Sequence, residues 1–242
     1  MLRKSFILAV GLLALLALGG VASAQSTSKD SKATIPDVCV FPFTDVPDGS
    51  TFRPFIECLF CRNIIGGYPD NTFRPNNNVT RGQLSKIVSE SAGFNGPAGL
   101  QIFEDVPPGS TYYDYINRLV QFGYINGYDC GGPGEPCSPA GYRYFRPNAP
   151  ATRGQIAKIV TQAAGWNEPP GDQIFEDVPP AHTFYPYIQR LSLHNAVTGY
   201  PCGGPGEPCG NGNMPYYRAD NLTTRGQLSK IDVYAFFSIC IP

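Results

Sequence analysis

The chain has 242 residues, with 18 basic and 19 acidic side chains and a formal charge of −1. A balance so close to neutral offers no cationic footprint for DNA or RNA, so nucleic acid is not an expected partner. Eight cysteines against two histidines favour disulfides in an exported chain over a metal centre.

At the N-terminus, Arg3 and Lys4 precede an apolar run from Phe6 to Leu18, and Ala22-Ser23-Ala24 follows. A positive start, a short apolar stretch and a small-x-small site specify a secretory leader over residues 1–24, cleaved after Ala24. Its loss removes two positive charges and leaves about −3. No later segment is long and apolar enough to span a bilayer, so no transmembrane segment is expected after cleavage. Residues 25–38 begin rich in Ser, Thr and Lys and read as a flexible lead-in.

The remainder is internal repetition. Phe43-Thr44-Asp45-Val46-Pro47 recurs as Phe103-Glu104-Asp105-Val106-Pro107 and Phe175-Glu176-Asp177-Val178-Pro179. Thr80-Arg81-Gly82-Gln83 recurs as Thr152-Arg153-Gly154-Gln155 and Thr224-Arg225-Gly226-Gln227. From Asp to Thr the spacing is 35 residues in the first copy and 47 in the others. One insertion accounts for the difference, carrying Cys-Gly-Gly-Pro-Gly-Glu-Pro-Cys at 130–137 and 202–209. The expected units are 39–100, 101–173 and 174–242.

Each unit reads as two helices joined by a loop. In the first helix Phe52, Phe55, Ile56 and Leu59 fall at steps of three and four, as do Tyr112, Tyr115, Ile116 and Leu119, and Phe184, Tyr187, Ile188 and Leu191. Asn63, Gly123 and Asn195 share the stop position, where a left-handed residue ends a helix. A Gly-Tyr pair follows at Gly67-Tyr68, Gly127-Tyr128 and Gly199-Tyr200, and these tyrosines are expected to pack. The second helix opens at Thr80, Thr152 or Thr224. Gln83, Gln155 or Gln227 three residues later completes a capping box. Lys86, Lys158 and Lys230 recur at one position and read as solvated surface. Gly93 and Gly165 end the first two of these helices. The third carries Asp232 where the others have Val. A lone helix pair cannot bury its apolar face, so a mainly α, pseudo-threefold bundle of three packed copies is predicted.

Cys130 with Cys137 and Cys202 with Cys209 are the expected disulfides of the insertions. Cys39 and Cys240 are expected to pair each with one of the helix cysteines, Cys58 and Cys61; a direct Cys39–Cys240 bond would also close the ring.

Phe-x-Asp-Val-Pro, a helix, Gly-Tyr, Thr-Phe-Arg-Pro-Asn and a Thr-Arg-x-x helix together resemble the S-layer homology family. The clearest copy runs from Gly67 to Asn76 and on to Val79-Thr80-Arg81. The resemblance covers all three copies and implies non-covalent attachment to cell-wall or surface polysaccharide, often acidic, at a bacterial cell envelope. It also implies that Asp45, Asp105 and Asp177 approach an inter-repeat groove and accept from sugar hydroxyls. The family's usual Thr-Arg-Ala-Glu appears here as Thr-Arg-Gly-Gln, which loses a carboxylate, and the cysteine-bounded insertions lie outside the common pattern.

A physical case for anion binding stands beside the resemblance. Helix N-termini present free amides and partial positive charge. Arg81, Arg153 and Arg225 sit there, each able to grip a carboxylate. Gly82, Gly154 and Gly226 would leave the backbone accessible. A structural alternative pairs the arginines with the aspartates across repeat junctions. The expected function is therefore a secreted, non-catalytic glycan-binding envelope protein without cofactor or metal. The alternative is an assembly protein that joins itself or another envelope protein. Glu104-Asp105 and Glu176-Asp177 suggest paired acids for hydrolysis, but the first copy has Thr44-Asp45, so the pair is no requirement of the unit.

Overall fold

Six α-helices form where the apolar spacing and the capping boxes place them, in a computed structural model that describes residues 39–241. The leader, its cleavage site and the lead-in lie outside the described residues. The first helices of the three copies are α1 (Arg53–Cys61), α3 (Tyr113–Gln121) and α5 (Tyr185–Leu193). The second helices are α2 (Arg81–Ser91), α4 (Arg153–Ala163) and α6 (Arg225–Phe236). Proline stands in the opening turn of α1 and α5, where its missing N–H costs nothing. Asn63, Gly123 and Asn195 end the first helices with φ of 59°, 72° and 58°. All three capping boxes form in full.

The principal helix contacts run between copies. α3 packs on α2, α5 on α4, and α1 on α6, so each first helix leans on the second helix of the preceding copy. The second helices α2, α4 and α6 also meet one another at the centre. Ile56, Leu59, Ile116, Leu119, Ile188 and Leu191 are wholly buried at these seams, each contributing roughly 1.5–3 kcal/mol of transfer free energy. No copy can bury that surface alone.

At the centre three backbone bonds close a ring. Val79 N–H donates to the Thr223 carbonyl (2.9 Å), Thr223 N–H to Ala151 (3.1 Å), and Ala151 N–H to Val79 (2.9 Å). The segments entering α2, α4 and α6 therefore hold one another in cyclic order, which fixes the pseudo-threefold relation.

All eight cysteines are bonded. Cys130–Cys137 and Cys202–Cys209 close the insertions, and the other bonds are Cys39–Cys61 and Cys58–Cys240. In the chain-entropy treatment an eight-residue closure contributes about 2.5 kcal/mol, and the Cys58–Cys240 closure about 5 kcal/mol. Cys58–Cys240 is also the bond that ties the end of the third copy to α1.

Asp232 is fully buried among the second helices, at the position Val88 and Val160 occupy in the other copies. Ser91 Oγ donates to its Oδ2 (2.5 Å), while Oδ1 has no partner among the described residues. Burial pushes this carboxyl up to about 8, only partly opposed by the Ser91 bond. An acid raised on folding holds a proton that the unfolded chain releases above about pH 4. Its contribution to stability is thus greatest below pH 4 and is lost as pH rises towards 8. Asp232→Val is expected to raise the melting temperature by about 5 °C, more at pH 8 than at pH 5. Calorimetry across that range checks this; an unchanged pH dependence would contradict it.

Candidate functional site

The amides at the starts of the second helices, the expected anion site, are already taken. Thr80 N–H donates to Gln83 Oε1 (3.2 Å) and Gln83 N–H to Thr80 Oγ1 (3.3 Å). Arg81 N–H donates to the Ala149 carbonyl (2.9 Å) and Gly82 N–H to Pro147 (2.8 Å). The same four bonds recur at α4, where Arg153 and Gly154 donate to Asn221 and Ala219, and at α6, where Arg225 and Gly226 donate to Asn77 and Pro75. The expectation of open helix-start amides is corrected: each start docks on the loop of the next copy and has no amide left for an anion.

The arginine side chains continue this docking. Arg81, Arg153 and Arg225 are 6–7% exposed. Their Nε atoms donate to the carbonyls of Phe145, Tyr217 and Phe73, each at 2.8 Å. Each guanidinium also lies against two rings: Arg81 against Phe145 and Tyr128, Arg153 against Tyr217 and Tyr200, Arg225 against Phe73 and Tyr68. Burial pulls Arg81 and Arg225 below the usual arginine value, against the raising effect of nearby tyrosines. The Nη1 atoms of all three have no acceptor among the described residues.

Asp45, Asp105 and Asp177 neither pair with these arginines nor line the grooves described below. Asp45 accepts from the amides of Phe73 and Arg74 (both 2.7 Å), Asp105 from Phe145 and Arg146 (2.7 and 2.6 Å), and Asp177 from Tyr217 and Arg218 (2.7 and 2.5 Å). Arg74, Arg146 and Arg218 are left-handed, with φ of 60–62°. That conformation costs a non-glycine residue about 1–2 kcal/mol, and the two charge-assisted bonds offset it. The aspartates thus hold the loop that receives the neighbouring helix start.

Gly82, Gly154 and Gly226 are buried, and a Cβ on any of them would run into the ring of Tyr112, Phe184 or Phe52 respectively. They are small so that an aromatic ring from the next copy's first helix can lie on the second helix. The expected accessible backbone is therefore covered.

Beside each docked arginine lies a groove built from all three copies. Groove I combines Tyr68, Gln83 and Lys86 of the first copy with Tyr112 of the second and Arg225 of the third, around about 250 Å³. Groove II combines Tyr128, Gln155 and Lys158 with Phe184 and Arg81, around about 160 Å³. Groove III combines Tyr200, Gln227 and Lys230 with Phe52 and Arg153, around about 230 Å³. The lysines and tyrosines, read from sequence as solvated surface and as packing, are groove residues. Their recurrence was visible in the sequence, but it did not reveal that Gly-Tyr of one copy faces the arginine of another.

The insertions stand behind the tyrosines. Glu135 grips Arg146 with two bonds (2.7 Å each), and Glu207 grips Arg218 (2.7 and 2.8 Å). Each of these arginines stacks on the groove tyrosine, 4.0 Å from the ring centre of Tyr128 or Tyr200. Arg74 stacks likewise on Tyr68 (3.8 Å), paired with Asp70 through a single exposed contact.

Interlocked helix pairs with an equivalent groove at each junction define a helical repeat module. Residues 42–85 and 102–157 match the S-layer homology domain. A cellulosome-anchoring protein of Acetivibrio thermocellus is 28% identical over 184 residues, covering 72% of this chain and 36% of that protein. An endoglucanase of a Bacillus species is 27% identical over 143 residues, covering 59% of this chain and 13% of the enzyme. Outer membrane protein SlpA of Deinococcus radiodurans is 33% identical over 85 residues, covering 34% of this chain and 7% of that protein. The chain thus spans little more than a third, at most, of these relatives.

Gly154→Ala tests the junction. Alanine normally gains about 1 kcal/mol over glycine in a helix interior, whereas overpacking against Phe184 costs about 1–3 kcal/mol. The variant is expected to melt lower than the parent; a higher melting temperature would show that the ring moves aside freely.

Proposed function

We propose that this is a non-catalytic envelope protein that holds cell-wall or surface polysaccharide in its three inter-repeat grooves. The observation carrying this reading is the repeated lining: every groove has a guanidinium, a lysine, a glutamine, a tyrosine and a second aromatic ring, to which groove II adds Tyr124. Aromatic faces suit the apolar faces of sugar rings, amide and phenol suit hydroxyls, and paired cations suit an acidic substituent. Hydrolysing a glycosidic bond usually takes two carboxyl groups flanking it, whereas the polar groups of these linings are cationic or neutral. The family match and the relative named for anchoring support attachment at a cell surface. No helix among the described residues is long and apolar enough to cross a membrane, and polysaccharide capture would supply the attachment. Partnership with another envelope protein, or with a second copy, is the competing outcome.

Replacing the three arginines would test docking as much as binding, because each bonds the neighbouring loop. The half-buried Lys86, Lys158 and Lys230 are better probes, since no salt bridge among the described residues involves them. With each lost pair worth about 0.5 kcal/mol, the triple alanine variant is expected to sediment with isolated cell envelopes about tenfold less strongly. Its melting temperature should stay close to that of the parent, and added salt should weaken the parent's binding. Undiminished sedimentation of a folded triple variant would rule out the grooves. Ordered polymers of pure protein without glycan would favour assembly.

A further inference from the structure

The seams between copies share one clasp, and one seam makes it covalently. In the α2–α3 seam Arg118 Nε donates to the Gly96 carbonyl (2.8 Å), and in the α4–α5 seam Arg190 Nε donates to the Glu168 carbonyl (2.9 Å). The residues aligned with these at the α6–α1 seam are Cys58 and Cys240, and they are bonded. The neighbouring contact repeats the substitution. Gln121 lies against Gly99 in the α2–α3 seam and donates to the Pro97 carbonyl (3.2 Å). The residues aligned with Gln121 and Gly99 are Cys61 and Cys39, which form the other bond. Where the α2–α3 linker passes from residue 96 to residue 99, the α6–α1 seam thus has Cys240 and Cys39, each bonded to α1.

We propose that these two bonds replace the missing linker as a load path, which carries tension between residues 39 and 240 past the folded ring. The covalent route runs from Cys39 to Cys61, through a single turn of α1 to Cys58, and on to Cys240. Its Cα steps are 5.7 Å at Cys39–Cys61 and 6.1 Å at Cys58–Cys240. With about 5 Å for the helical turn between them, residues 39 and 240 stand at most about 17 Å apart. The backbone route between the same two residues is about 700 Å when extended. A taut short route leaves the long one slack, so the force does not reach the bonds that hold the ring and its grooves. Without the two disulfides a pull at either end would peel α1 from α6 contact by contact, since no peptide crosses that seam. The use of the path rests on the proposed attachment role. A pull at residue 39 or 240 against polysaccharide held in the grooves enters through α1, whose Ile56 and Leu59 are wholly buried, and not through a segment that can peel.

Single-molecule force spectroscopy tests this on the chain without residues 1–24, held by one handle before residue 39 and another after residue 242. The native chain is expected to show no unfolding step at forces that leave disulfides intact. Adding a dithiol reductant is expected to release about 700 Å, at roughly 3.5 Å per residue. Cys58→Ser with Cys240→Ser leaves the backbone from residue 61 to residue 240 under load and is expected to release about 630 Å. Cys39→Ser with Cys61→Ser loads only residues 39 to 58 and is expected to release about 65 Å. A step of several hundred ångströms from the oxidised native chain would overturn the load path. Should either variant fail to fold, the native chain with and without dithiol decides alone. On immobilised cell envelopes, pulled from the handle after residue 242, the native chain is expected to detach before it lengthens; unfolding before detachment would overturn the use of the path. If the chain does not adhere to envelopes at all, the attachment reading falls, while the pull on free protein still decides the path.

Discussion

Everything in this fold depends on how the start of each second helix is received by the next copy. The amides of Arg81 and Gly82, and the Arg81 Nε, meet three carbonyls of the loop at Phe145, Pro147 and Ala149. The loop can present those carbonyls because Asp105 pins the amides of Phe145 and Arg146 from the other side. The same relay runs from Asp177 to α4 and from Asp45 to α6. Buried backbone groups must find partners, and here the helix orphans of one copy are satisfied by the loop of another. Each copy therefore completes its neighbour, which explains why the principal helix contacts lie between copies.

The relay also makes the grooves. An arginine committed through Nε to a neighbouring carbonyl cannot swing, so its remaining nitrogens are held at a fixed place beside a tyrosine from the receiving copy. Pre-positioned charge of this kind avoids the ordering cost that a surface lysine pays on binding. It also explains how a chain with a formal charge of −1 can present three local cationic sites. The carboxylates are spent elsewhere, on backbone amides and on Arg146 and Arg218 behind the tyrosines. In the second and third copies the insertion makes that last pairing two-pronged and secures it with a disulfide, which stiffens the tyrosine wall from behind.

Much of this was legible in the sequence because it is local. The apolar steps from Phe52 to Leu59, the Thr-x-x-Gln boxes and the stops at Asn63, Gly123 and Asn195 each depend on a few neighbouring residues. The Cys130–Cys137 and Cys202–Cys209 bonds were legible for the same reason. The role of Asp45, Asp105 and Asp177 was not, because their partners are amides 28 or more residues away. The glycines illustrate the limit best. Small size at Gly82, Gly154 and Gly226 signals close approach, and the sequence does not say whether a ligand or a ring approaches; the ring on each belongs to the next copy. The lysines read as solvated surface for a similar reason, since one helix cannot show which neighbour faces it.

The symmetry is broken at the junction of α6 with α1. The first and second copies are joined by peptide between α2 and α3, and the second and third by peptide between α4 and α5, but α6 and α1 have no such linker within the ring. A contact without a linker is separated by the full entropy of the intervening chain, and the Cys58–Cys240 bond removes that cost at this junction. Around it the chemistry is unlike that of the other seams. Arg62 lies 8% exposed with Nη1 against Cys58 Sγ (3.1 Å) and Cys240 Sγ (3.0 Å), its guanidinium over Phe237. Nearer the axis Asp232 replaces valine and reaches Ser91 of the first copy. A hydrogen-bonded acid is a poorer source of stability than the valine it replaces, but it is directional, and it distinguishes the α6 position from those of α2 and α4. In three nearly equivalent helices, such a mark favours one cyclic order over a register in which copies exchange places.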